Sequence, residues 1–69
     1  MVASFRLVLD NVDDEETVYE ESYITDTELS AEKRLGDLWN KYCAHMPDRG
    51  YRARLFHPGS DKPDMTIEG

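Results

Sequence analysis

Between positions 10 and 23 the stretch DNVDDEETVYEESY carries seven carboxylates and no positive charge, about a fifth of a 69-residue chain. Within it, residues 11 to 16 are a polar run that cannot pack. The most apolar segment of the chain, residues 4 to 10, leads into that run. A chain of this length forms one domain, near the lower size at which a single core outweighs chain entropy without a staple. The one cysteine, Cys43, cannot form an intrachain disulfide, although it could bridge to another chain. No group of Cys and His has the spacing of a structural zinc site, and neither metal nor cofactor is expected.

The charge is lopsided. The net formal charge is −7, and residues 1 to 30 carry nine acids against Arg6 alone (−8), while residues 31 to 69 carry six acids and seven bases (+1). Such a balance disfavours generic binding to nucleic acid or to an anionic membrane, which needs clustered Lys and Arg. The opening MVASFRLVLDN has too short an apolar run and too little positive charge for a signal peptide, and no run reaches the roughly 20 apolar residues of a membrane span. A cytoplasmic location is expected.

Residues 4 to 10 alternate Phe5, Leu7 and Leu9 against Ser4 and Arg6, with Val8 the apolar exception, and predict the central strand. Residues 11 to 16 form a polar hairpin loop. Residues 17 to 25, TVYEESYIT, predict a second strand, an edge kept soluble by Glu20 and Glu21; its facing is ambiguous, because Val18 and Ile24 lie on one side and Tyr19 and Tyr23 on the other. Thr25 as N-cap, Glu28 at N3 and an Ile24 to Leu29 staple predict a helix start. A stripe of Ala31, Leu35, Leu38, Trp39, Tyr42 and Met46 faces the sheet, and Asp37 pairs with Lys41 on the opposite side. Gly36 suggests close approach to the sheet, and Pro47 limits the helix. Residues 51 to 57 alternate Tyr51, Ala53 and Leu55 against Arg52, Arg54 and Phe56 and predict a third strand.

The expected fold is α+β, in the order β-β-α-β. The strands form a three-stranded antiparallel/mixed sheet of order 2-1-3 with the helix on one face. Residues 1 to 58 form the domain and 59 to 69, polar and broken by Pro63, a flexible tail with Met65 and Ile67 able to touch the body.

Three groups of side chains carry the functional expectation. The acidic set Asp13, Asp14, Glu15, Glu16, Glu20, Glu21, Asp26 and Glu28 reads as a negative surface, from the hairpin to the nearby helix start, that docks on a basic groove of a larger protein, or as a solvated surface that confers solubility. It is no calcium loop, since Val12 stands third after Asp10 and no glycine stands sixth. Arg52, Arg54 and Phe56, with Arg49 beside them, are secondary binding candidates, but neutralisation of the adjacent acidic strand or hairpin is the favoured reading of the arginines, which have no glycine-rich or aromatic stacking platform. His45, His57 and Cys43 stand in no nucleophile motif, and the carboxylates lie where nothing separates their pKa values, so an enzyme is not expected. Trp39 and Tyr42 read as core, or as anchors for a partner or a second copy.

From about residue 17 to 58 the layout resembles that of small phage-encoded host-takeover proteins such as the T7-type inhibitors of bacterial RNA polymerase. The likeness lies in ITDTEL leading into the helix, a tryptophan (Trp39) within it, and GYRARLFHP opening on a glycine and an aromatic. The resemblance implies a protein that binds and inhibits a larger enzyme, with the target left open. The long acidic loop and the tail depart from that pattern. Alternatives are a homo-oligomerising domain using the open sheet face or an edge, and a nucleic-acid binder using the arginine strand.

Overall fold

The computed structural model describes residues 2–42 and 50–68. Expectations that fall on Cys43, His45, Met46, Pro47 and Arg49 lie outside the described residues. The chain forms strands β1 (Ala3–Asn11) and β2 (Glu16–Thr25), helix α1 (Glu28–Tyr42), and strands β3 (Tyr51–Phe56) and β4 (Met65–Glu68). The four strands make one antiparallel sheet of order β2-β1-β3-β4. No described helix is long and apolar enough to cross a membrane.

The α+β class and the 2-1-3 arrangement hold, and several expectations need correction, the strand count first. The sheet has four strands, not three, because the segment expected to be a flexible tail returns and pairs with β3. Arg52 faces Glu68, Ala53 faces Ile67 and Leu55 faces Met65. The backbone N–H of Asp64 starts this return by donating to the Leu55 carbonyl at 2.8 Å. Pairing satisfies backbone groups that an open β3 edge would leave to water, and it lays half-buried Met65 and Ile67 against the core.

The helix start is the second correction. Thr25 is still in β2, opposite Ala3, so it cannot cap the helix. Thr27 caps it instead, its Oγ1 accepting the Ser30 N–H at 3.2 Å. Ile24 and Leu29 stand 68% and 63% exposed, so the staple does not form.

One sheet face packs on α1. Phe5, Leu7 and Leu9 of β1, Tyr51, Ala53 and Leu55 of β3, and Ala31, Leu35 and Leu38 of α1 make the core, with Tyr19, Tyr23, Trp39 and Tyr42 partly buried around it. The ambiguity in β2 resolves in favour of the tyrosines. Tyr19, Glu21 and Tyr23 are half-buried on the helix side, whereas Val18, Glu20, Ser22 and Ile24 are exposed on the other. Gly36 does not mark a close approach, since an added Cβ there would meet nothing within 4 Å. Lys41 lies over the Tyr42 ring, 5.3 Å from its centroid.

Candidate functional site

The hairpin tip is built by its own side chains. Asn11, 7% exposed, uses Oδ1 to accept the backbone N–H groups of Asp13 (3.0 Å) and Asp14 (3.4 Å), and its amide donates to Asp14 Oδ2 at 3.1 Å. Such Asx hydrogen bonds fold a polar loop without apolar contacts. Glu15 closes the turn with a φ of 52°, a left-handed conformation uncommon for a residue with a Cβ. The tip also docks on residue 50. The Val12 N–H donates to the Gly50 carbonyl at 2.6 Å, and the Gly50 N–H donates to Asp13 Oδ2 at 3.2 Å. A Cβ at Gly50 would stand 3.1 Å from that carboxylate, so glycine suits this approach.

The eight acidic candidates do not form one patch. Asp13, Asp14, Glu15 and Glu16 lie at the tip, where β2 begins, while Asp26 and Glu28 follow its end. Ten strand residues at about 3.3 Å each separate the groups by roughly 30 Å. The helix start is therefore not near the hairpin, as the linear sequence suggested, because the strand between them is extended. Glu20 faces out from the open side of the sheet.

Glu21 belongs to the structure instead. On the helix-covered face, Arg34 donates Nε to its Oε2 at 2.8 Å and Nη2 to its Oε1 at 2.9 Å, a two-pronged pair. Tyr19, stacked on Tyr42 at 5.0 Å, donates its hydroxyl to the same carboxylate at 2.6 Å. The guanidinium of Arg34 is the main cause that holds the Glu21 carboxyl below its ordinary range, and the bond to Glu21 in turn raises the Tyr19 phenol.

Arg52 and Arg54 converge on Asp10, a residue sequence reasoning placed only in the strand. Asp10 Oδ2 accepts Nη2 of Arg52 at 3.2 Å and Nη2 of Arg54 at 2.5 Å, and Thr17 donates to Oδ1 at 3.5 Å. The register puts Asp10 beside Arg52 and Val8 beside Arg54, so one carboxylate serves both cations. Nε of each arginine is buried without a partner. Phe56 lies under two guanidiniums, Arg6 at 4.5 Å and Arg54 at 5.3 Å from its centroid, and is 3% exposed. Phe56 is thus no exposed binding residue. An open-sided hollow of about 360 Å³ adjoins this cluster, lined by Asp10, Asn11, Glu15, Thr17, Arg52 and Arg54 among others; its lining is polar.

At the opposite end, Glu28, His57 and Asp64 come together from three separate parts of the chain. Sequence spacing gives no signal for this group, since 29 and 7 positions separate its members and only the return of the tail places Asp64 beside His57.

The chain matches no family model, no curated protein and no solved structure.

Proposed function

We propose that the protein is a non-enzymatic interaction module whose hairpin tip binds the basic, nucleic-acid-handling surface of a larger host protein and inhibits it. The observation that carries this reading is the set of carboxylates at and beside the tip. Asp13, Asp14, Glu15, Glu16 and Glu20 make no ion pair with any described residue, whereas Asp10 and Glu21 are matched by arginines. A fixed tip with unmatched charge keeps its field available to a partner, steering encounter and favouring a positive groove. The same reading accounts for the resemblance to phage-encoded takeover proteins, and the polar, open-sided hollow offers no dry site for chemistry.

The arginine strand supports nucleic-acid binding poorly, because Arg52 and Arg54 already share Asp10. Asp13 and Asp14 also build the turn, so reversing their charge would unfold the loop as well as test it. Glu15→Lys, Glu16→Lys and Glu20→Lys together change charge without removing a described hydrogen bond. The variant should stay folded by circular dichroism and lose capture of the partner that the unaltered protein retains from host lysate. That capture should weaken as salt rises from about 50 mM to 500 mM. Equal capture by the triple variant at low salt refutes the proposal. Concentration-dependent sedimentation with no captured partner would favour self-association instead.

A further inference from the structure

Glu28 is the first residue of α1, His57 follows β3 and Asp64 precedes β4, and one donor atom from each lies within 4.8 Å of the others. His57 Nε2 stands 3.5 Å from Glu28 Oε2, and Nδ1 is in direct contact with Asp64 Oδ2. Both ring nitrogens thus have a carboxylate oxygen close by. A neutral imidazole has one N–H and one lone pair, so it can donate to only one of the two anions. The other nitrogen then holds a lone pair beside a negative oxygen, a juxtaposition that repels unless a proton or a metal cation is shared there.

The three backbones are held in place. The Asp64 N–H is bonded to the Leu55 carbonyl, and the Ser60 N–H donates to the His57 carbonyl at 3.1 Å, across a turn in which Gly59 takes a φ of 75°. Glu28 follows the Thr27 cap, and the Phe5 ring lies tilted on the imidazole at 5.2 Å. The site is therefore largely assembled before any ion arrives. All three side chains are 38% to 49% exposed, which leaves an open path from solvent.

We propose that His57 and Glu28 ligate a divalent transition-metal ion, with Asp64 as a positioning residue behind the imidazole. The Nδ1–H donates to Asp64, which fixes the tautomer and strengthens Nε2 as a donor, the arrangement common behind metal-bound histidines. Tetrahedral zinc with bonds of about 2.0–2.1 Å holds its ligand atoms roughly 3.4 Å apart. The 3.5 Å gap between Nε2 and Oε2 matches that separation. Water fills the remaining positions. One imidazole and one carboxylate suit zinc, cobalt or nickel over magnesium or calcium, which favour oxygen ligands throughout. A bound ion ties the helix start to the end of β3, and through Asp64 to the returning strand, in a chain without a disulfide. The site lies at the other end of the sheet from the hairpin tip and is independent of the function proposed for it.

The test is calorimetric titration of the metal-stripped full chain with Zn²⁺ at about pH 7.5, followed in parallel by ¹⁵N NMR of the imidazole nitrogens. One ion per chain should bind saturably at submillimolar Zn²⁺, and the His57 Nε2 resonance should shift. Asp64→Asn and Glu28→Gln should each weaken binding about 10-fold or more, and His57→Gln should abolish it. Cys43→Ser with His45→Gln should leave it intact, and Mg²⁺ should not compete. Absence of saturable uptake at millimolar Zn²⁺ would overturn the proposal and leave a proton as the occupant between the carboxylates. So would undiminished uptake by His57→Gln, or uptake lost in the Cys43 and His45 variant. Should His57→Gln fail to fold, the His57 resonance in the unaltered protein decides alone.

Discussion

The two faces of the sheet bury side chains by different means. On the covered face, α1 lays Ala31, Leu35 and Leu38 over Leu7, Leu9 and Leu55, and apolar contact excludes water from the middle of the layer. On the open face no helix lies above, yet Val8 (5%), Asp10 (6%) and Phe56 (3%) are as inaccessible as the core. There the cover is the arginines. Arg6, Arg52 and Arg54 lie with their stems along the sheet, two guanidiniums over Phe56 and two against Asp10. A domain too small for a second layer thus shields the β1–β3 part of its other face with long cationic side chains, and the buried carboxylate holds two of those cations in position.

Substitutions that remove one kind of cover at a time test this contrast. Leu9→Ala should cause the largest loss, about 2–5 kcal/mol in urea unfolding, because the rigid α1 layer cannot collapse into the void. Phe56→Ala should cost less, about 2–3 kcal/mol, because mobile arginine stems can settle into the space. Equal losses would mean that the open face is packed as firmly as the covered one. Asp10→Asn should come next. It leaves Arg52 and Arg54 side by side without their anion, at about 1–2 kcal/mol after allowance for their partial exposure, and a double-mutant cycle with Arg54→Gln should show coupling.

The smallest effect belongs to the Glu21–Arg34 ion pair on the covered face. The Glu21 carboxyl is held below its unfolded value near 4.5, so its stabilisation is complete above that pH and is lost as pH falls through the lowered folded value. Thermal midpoints measured between about pH 3 and 5 should fall more steeply for the unaltered protein than for Glu21→Gln. Parallel curves would remove the Arg34 pair from any role in acid stability.

Much of this was legible in the residues. The alternation of Phe5, Leu7 and Leu9, and of Tyr51, Ala53 and Leu55, marks strands of period two, and the stripe through Ala31, Leu35 and Leu38 marks the helix; a hairpin, a crossing helix and a third strand then give 2-1-3 as the simplest order. The fourth strand was not legible. Met65 and Ile67 give only one repeat of the alternation, and what makes them a strand is the unpaired edge of β3, a tertiary fact. The cap was misplaced because TDTELS contains two threonines at suitable spacing, and pairing of Thr25 with Ala3 decides between them. For the candidate site, the acidic character of the hairpin was plain, but its division was hidden. Which carboxylates are matched depends on register: Asp10 meets Arg52 across the strands, and Glu21 meets Arg34 only because it faces the helix.

The last strand has a practical bearing on how the chain can be handled. Among the described residues, Met65–Glu68 alone pairs with the outer rim of β3, along Arg52–Leu55. Trimming the chain at Pro58 would bare a six-residue β ribbon with open amides beside a hydrophobic interior, a template for intermolecular stacking. A 69-residue chain cut after Pro58 should therefore turn a well-behaved solution cloudy, where the uncut chain stays clear.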